Sequence, residues 1–147
     1  MAQLSEHFSL EEMTFSGTAA RRGIDNTPPE EAKEELRKLC ENILEPVRAL
    51  VNAPVNILSG YRSPELNANV PGSSNTSQHT KGQAADFKVR GYTIQQLFVL
   101  ISDSGIVFDQ MIQEYNSWVH ISRSDTPRRQ RLYAIRGPDG KTGYTPA

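Results

Sequence analysis

Ile106-Val-Phe-Asp-Gln-Met-Ile-Gln-Glu114 and Trp118-Val-His-Ile-Ser122 are two strand-like runs separated only by Tyr115-Asn116-Ser117. A three-residue connection between such runs reads as an antiparallel hairpin. Side chains alternate across a strand, so Val119 and Ile121 share one face while Trp118, His120 and Ser122 share the other. If the aliphatic pair faces the core, His120 faces a cleft with an aromatic wall beside it. Working outward, Ala84-Ala-Asp-Phe-Lys-Val89 reads as a further strand, and Val55-Asn-Ile-Leu58, bounded by Pro54 and Gly60, as a short one. Arg131-Leu-Tyr-Ala-Ile-Arg136 reads as the last strand, turned by Pro138-Asp139-Gly140.

The first half of the chain has a different period. Asn26-Thr-Pro-Pro-Glu-Glu31 carries a capping residue, prolines suited to a first turn and acidic side chains, and predicts a helix start. Leu36, Leu39, Ile43, Val47 and Leu50 then recur every three or four residues, the stripe of a helix packed on a core, with Cys40 and Leu44 beside it. Pro46 removes a backbone donor inside this pattern, so a kink or restart is expected there. Leu4 to Gly23, with aromatic anchors expected at Phe8 and Phe15, is expected to wrap this helix as a short turn and loop. Thr93 to Ser104 reads as a second, capped helix with Ile94, Leu97, Phe98 and Ile101 on one face. Helices first and strands later give an α+β class: a small, mostly antiparallel sheet with N-terminal helices packed on it.

At 147 residues, the chain reads as a single domain over 1–147, long enough for a core without covalent staples. A formal charge of -1 excludes an overall basic field. Charge is uneven, because residues 123–147 hold six basic side chains against Asp125 and Asp139. Such a patch could face an anionic polymer, but charge runs are more often solvated surface. Cys40 is the only cysteine, which rules out an intramolecular disulfide and a Cys-rich zinc site. Any metal must be held by histidine and carboxylate. No run approaches the ~18 apolar residues of a membrane span, and the N-terminus shows no basic region followed by an apolar one.

From Ser59 to Gly82 the chain is rich in Gly, Ser, Asn, Thr and Pro, and a long polar loop inside a compact domain is usually functional. It holds Arg62 in a glycine-flanked setting, where a guanidinium offers forked donors to a carboxylate or developing oxyanion. It also leads into Ser77-Gln-His-Thr-Lys-Gly-Gln-Ala-Ala-Asp86, in which small residues let the backbone pass close to a site. A lone histidine is more often a packed or surface residue than a ligand. Here, however, His79, Asp86 and His120 together make two imidazoles and a carboxylate, a set that suits zinc with a fourth position open for water. That pattern points to hydrolysis.

These motifs in this order, Ser59-Gly-Tyr-Arg-Ser63, Ser77-x-His79-x-x-Gly82-x-Ala84-x-Asp86 and Trp118-Val-His120-Ile-Ser122, resemble the M15 group of zinc D-Ala-D-Ala carboxypeptidases and related phage endolysin peptidases. The resemblance spans roughly residues 5–125 and implies the Hedgehog/DD-peptidase-like fold. It also implies zinc on His79, Asp86 and His120, Arg62 as a catalytic and substrate-binding residue, and Ser77 near the substrate. Trp118 is expected to line the substrate site. Relatives place an acid three positions before the last histidine; here that position is Ser117. Glu114 is the nearest acid. If Tyr115-Asn116-Ser117 is the hairpin loop, Glu114 pairs with Trp118 on the face of His120, as diagonal neighbours ~7–8 Å apart. Glu114 is therefore the expected general base, with Asp109 and Asp125 in reserve.

The resemblance implies hydrolysis of stem or cross-link peptides of bacterial peptidoglycan, as a carboxypeptidase or an endopeptidase. The expected protein is a monomer that neither binds nucleic acid nor inserts in a membrane, made in the cytoplasm without a signal peptide and acting at the cell wall as a phage lysin or virion component. Two other readings compete: a non-catalytic zinc-binding module of the same fold, for which Ser117 leaves room, and a nucleic-acid binder using the basic C-terminus.

Overall fold

Hydrogen bonding assembles the second half of the chain into one six-stranded sheet of order β1-β2-β4-β3-β5-β6. The computed structural model describes residues 2–71, 73, 74 and 76–147. The strands are β1 (Val55–Ser59), β2 (Ala84–Val89), β3 (Gln110–Glu114), β4 (Trp118–Ser122), β5 (Gln130–Arg136) and β6 (Thr142–Pro146). All neighbours are antiparallel except β3 and β5. The α+β class and mostly antiparallel sheet expected from the sequence are the observed ones.

The long helical stripe is realised in three pieces. Helix α3 (Glu30–Leu39) leads into a π-helical turn at Cys40–Leu44, and α4 (Glu45–Val51) restarts with Pro46 in its first turn. A proline there cannot donate and would press on the carbonyl four residues back; a widened turn relieves both conflicts. Cys40 is fully buried as a small hydrophobe, and burial, with Glu12, Glu45 and Glu41 nearby, pushes its thiol up to about 12. Helix α6 (Ile94–Ser102) begins on a capping box in which Thr93 and Gln96 satisfy each other's backbone amides.

Several local expectations are corrected. Leu4 to Gly23 is not loop, since α1 (Leu10–Thr14) and α2 (Gly17–Arg22) form there, capped by Ser9 and Ser16. Phe8 is buried as expected, but Phe15 is 72% exposed and anchors nothing. The Ser59 to Gly82 segment contains α5 (Pro64–Ala68) and a short 3-10 helix at Gln78–Lys81. Residues 72 and 75 of that loop lie outside the described ones. β3 starts at Gln110 rather than Ile106, and β5 is not the last strand, because the Pro138-Asp139-Gly140 turn returns the chain as β6.

One face of the sheet carries Ala85, Phe87, Val89, Met111, Val119 and Ile121, which join Leu36, Leu39, Ile43, Val47, Leu97 and Ile101 of the helices in one buried cluster. Burying each of these side chains larger than Ala85 contributes roughly 1.5–3 kcal/mol. By alternation the opposite face carries Asp86, His120, Trp118, Ile112 and Glu114. Among the described residues no helix is long and apolar enough to cross a membrane.

Candidate metal centre

Asp86 and His120 sit directly opposite each other on β2 and β4, the closest approach two side chains on one sheet face can have. His120 Nδ1 lies 2.9 Å from Asp86 Oδ1. His79 reaches the same oxygen from the 3-10 helix, with Nε2 at 3.3 Å. The other nitrogen of His79, Nδ1, lies 2.7 Å from the Gly60 carbonyl oxygen. A carbonyl only accepts, so Nδ1 carries a hydrogen and Nε2 is the atom left to face the centre, where a neutral ring would offer a metal its lone pair.

The local chain makes this placement possible at two glycines. A β-carbon on Gly60 would overlap the Met13 carbonyl oxygen, which accepts from Tyr61 N at 2.8 Å. Gly82 ends the 3-10 helix at φ 75°, and a β-carbon there would overlap the Ala32 carbonyl. Ser77 caps the same helix by accepting from His79 N. These contacts hold the His79 turn against α3 and the Gly60 backbone, which in turn packs on α1.

The three donor atoms lie within 4.8 Å of one another. His79 and His120 are buried and Asp86 nearly so. Burial opposes ionisation of Asp86, but the two imidazoles beside it outweigh burial and hold its carboxyl well below the usual carboxylate range. Burial likewise pushes the His79 pKa down despite Asp86, favouring the neutral imidazole that metal ligation needs. In a tetrahedral zinc site with bonds of ~2.0–2.1 Å, donors stand about 3.3 Å apart. The His79–Asp86 spacing of 3.3 Å matches that edge and the His120–Asp86 spacing of 2.9 Å is somewhat shorter, and two imidazoles with a carboxylate are the donor types zinc takes.

Glu114 pairs with Trp118 in the β3–β4 register, as the hairpin reading predicts, and so shares the face of His120. It is half-buried, and its pKa is raised by burial and then by the charge of Asp86, against the opposing pull of His120 and Arg62. Arg62 follows Gly60 and Tyr61 into the same cleft. Its backbone N donates to His79 O at 3.0 Å, its Nη2 reaches Ser77 Oγ at 3.4 Å, and its buried Nε has no partner among the described residues. Trp118, opposite Glu114, has its ring edge-on to Tyr115 at 5.8 Å. Asp86, Glu114, Trp118 and His120 thus share one face of the sheet, with His79 and Arg62 close to Asp86.

The reserve acids are committed to other partners. Asp109 is buried and accepts from Arg128 N, Nε and Nη2 and from Gln78 Nε2. Asp125 is exposed and paired with Arg123. Sequence reasoning also missed Asn26, read as a helix cap. Its Nδ2 donates to the Thr14 and Tyr61 carbonyls and its Oδ1 accepts from Ser63 N, so it braces both sides of Arg62. A second grouping, Glu6, His7 and Glu45, is largely exposed and already internally paired, His7 Nδ1 lying 2.6 Å from Glu45 Oε1.

The family model for Peptidase M15 matches residues 6–122, which include every residue of this centre. The chain belongs to the peptidase M15 family. Its members are peptidases, and the matched span runs from the N-terminal segment through β4. No curated protein matches the chain significantly.

Proposed function

We propose that this M15 peptidase is a zinc enzyme that hydrolyses peptide bonds of bacterial peptidoglycan, as a carboxypeptidase or an endolysin-type endopeptidase. The observation that carries the proposal is the convergence of His79 Nε2 and His120 Nδ1 on one oxygen of Asp86, with Glu114 on the same sheet face. His79, Asp86 and His120 would hold the ion. Zinc bound there supplies Lewis acidity, polarising a carbonyl and lowering the pKa of a coordinated water towards ~7.

The chain's own groups supply the rest. Glu114, ionised, takes the proton from the attacking water and returns it to the leaving amine. Arg62, whose Nη2 reaches Ser77 Oγ and whose buried Nε has no partner among the described residues, would supply donors for the oxygen on which charge develops. Ser77 orients that guanidinium, and Trp118 lines the substrate's path.

The non-catalytic alternative, a zinc-binding module that recognises cell-wall peptide, has one observation in its favour: Ser117 stands where relatives place an acid. Glu114 favours catalysis because its register brings a carboxylate back to the same face. Mass spectrometry of purified peptidoglycan fragments after incubation with the zinc-loaded protein tests both readings. New products that disappear after chelation are expected, and their masses name the bond. Intact fragments with about one zinc per chain would favour the binding module; stoichiometric zinc in a His79→Ala, His120→Ala double variant would reject the ligand set.

A further inference from the structure

The family match ends at Ser122, yet the sheet does not. Residues 123–129 pass the start of β3, held there by Arg128 on Asp109 and by Gln130 N on the Asp109 carbonyl. β5 then runs parallel to β3, and β6 closes the edge. Register puts Trp118, Glu114, Ala134 and Tyr144 in one row across four strands. Cross-strand partners share a face, so Tyr144 stands on the same side of the sheet as Glu114, with only the short Ala134 between them. The next pair along, Arg136 and Thr142, belongs to that face as well. The Arg136 guanidinium lies 4.4 Å from the Tyr115 ring centre, and Tyr115 Oη lies 2.5 Å from Thr142 Oγ1.

Three of the six cations of this segment are committed elsewhere, and of the exposed Arg129, Arg136 and Lys141 only Arg136 is stacked on an aromatic ring. Arg123 is paired with Glu35 and Asp125, and Arg128 with Asp109. Arg131 lies on the Phe108 ring and donates to the Ser102 carbonyl. Arg136 is exposed and has no acidic partner among the described residues. Tyr144 is 56% exposed, a large ring left open beside it. Strands are ~4.8 Å apart, so Tyr144 stands about 10 Å from Glu114, the reach of roughly three extended residues.

We infer that the β5–β6 hairpin is the distal wall of the substrate cleft, where Tyr144 packs against a substrate residue about three positions from the scissile bond and Arg136 binds a carboxylate of the peptide. The inference rests on the peptidoglycan-peptidase reading, since it requires a substrate peptide that carries a carboxylate. A guanidinium already stacked on an aromatic ring is held in place and keeps its edge donors free for a carboxylate.

Two measurements test it on the zinc-loaded full chain with soluble muropeptides. In steady-state hydrolysis, Tyr144→Ala and Arg136→Gln should each raise KM about five- to thirtyfold while kcat changes less than twofold, and Arg136→Lys should recover part of the loss. In a Glu114→Gln background, muropeptide binding is read from the fluorescence of Trp118, the only tryptophan, and the same two substitutions should raise Kd to the same extent. Tyr144→Phe keeps the ring and should bind as wild type, which guards against an unstable alanine variant. KM and Kd within twofold of wild type for both residues, at unchanged Tm, would overturn the inference. Should the wild-type protein cut no muropeptide, the substrate reading falls, and the binding measurement still decides the hairpin.

Discussion

The Nδ1 nitrogen of His79 is bonded to the carbonyl oxygen of Gly60 at 2.7 Å, so the position of a glycine backbone determines which imidazole nitrogen faces Asp86. Gly60 can hold that place because nothing projects from it toward the Met13 carbonyl. Gly60→Ala forces the two backbones apart, an overpacking that costs about 1–3 kcal/mol. The carbonyl that orients His79 moves with them. Loss of such an outer partner weakens metal binding by roughly 10–100-fold. Thermal denaturation and zinc titration against a chromogenic chelator should show both effects; a destabilised variant with unchanged zinc affinity would separate the glycine from the metal centre.

Glu114 is proposed as a base and not a ligand. Glu114→Gln should therefore keep its zinc and lose roughly 10²–10⁴-fold in kcat, the usual contribution of a positioned general base. The same substitution has a stability consequence in the metal-free protein. Burial, then Asp86, raises the folded-state pKa of Glu114 above its unfolded value. The folded state thus binds the proton more tightly, and the stability this adds is fully present below the unfolded pKa and lost as pH rises through the folded one. At neutral pH the glutamine variant should be the more stable, and the difference should vanish as the wild-type carboxyl is protonated. Equal Tm values at pH 7 and at pH 4 would contradict this.

Asp109 looks like a reserve base in the sequence and is an anchor in the fold. Hydrogen bonds from Arg128 come first in holding its carboxyl below the ordinary range. It ties Arg128 to Gln78, the neighbour of His79, and so joins the C-terminal hairpin to the turn that carries a candidate ligand. Asp109→Ala leaves several donors without a partner, at about 1–3 kcal/mol after allowance for the exposure of Arg128. Its depressed pKa contributes stability above the unfolded carboxylate value, lost as pH falls through the folded one. The wild type should therefore lose its advantage over the alanine variant in acid, as followed by urea denaturation between pH 3 and pH 7.

Periodicity carried most of the fold into view. Strands β1, β2 and β4, the helical stripe, the Pro46 restart and the pairing of Glu114 with Trp118 follow from alternation, spacing and turn length, because each is fixed by neighbours close in sequence. The candidate ligand set was legible because two residue types with metal chemistry, histidine and aspartate, fall in motifs. α1 was missed although Ser9-x-x-Glu12 is a capping box, since a helix of one turn leaves no stripe. Asn26 was misread because its local setting fits a cap, while its actual partners, Thr14, Tyr61 and Ser63, are brought to it only by tertiary packing. The parallel pairing of β3 with β5 and the strand after the Pro138 turn have the same cause: sheet order is a long-range property that local pattern does not encode.

Arg62 joins these lines of argument, since its role depends on geometry rather than on charge alone. Its guanidinium is largely buried beside the centre, burial works against its charge, and its Nε is left without a partner among the described residues. A buried donor without a partner is costly, so its persistence fits a group that meets its acceptor only when substrate arrives. Lysine would keep the charge on a single point and lose the planar fork that serves Ser77 and a substrate oxygen together. Arg62→Lys should hold Tm and zinc content near wild type and lower kcat/KM on muropeptides by at least about tenfold, equivalent to ~1.4 kcal/mol of transition-state binding. A large fall in Tm with unchanged activity per folded molecule would make Arg62 a structural residue, and the orphaned Nε would then need another account.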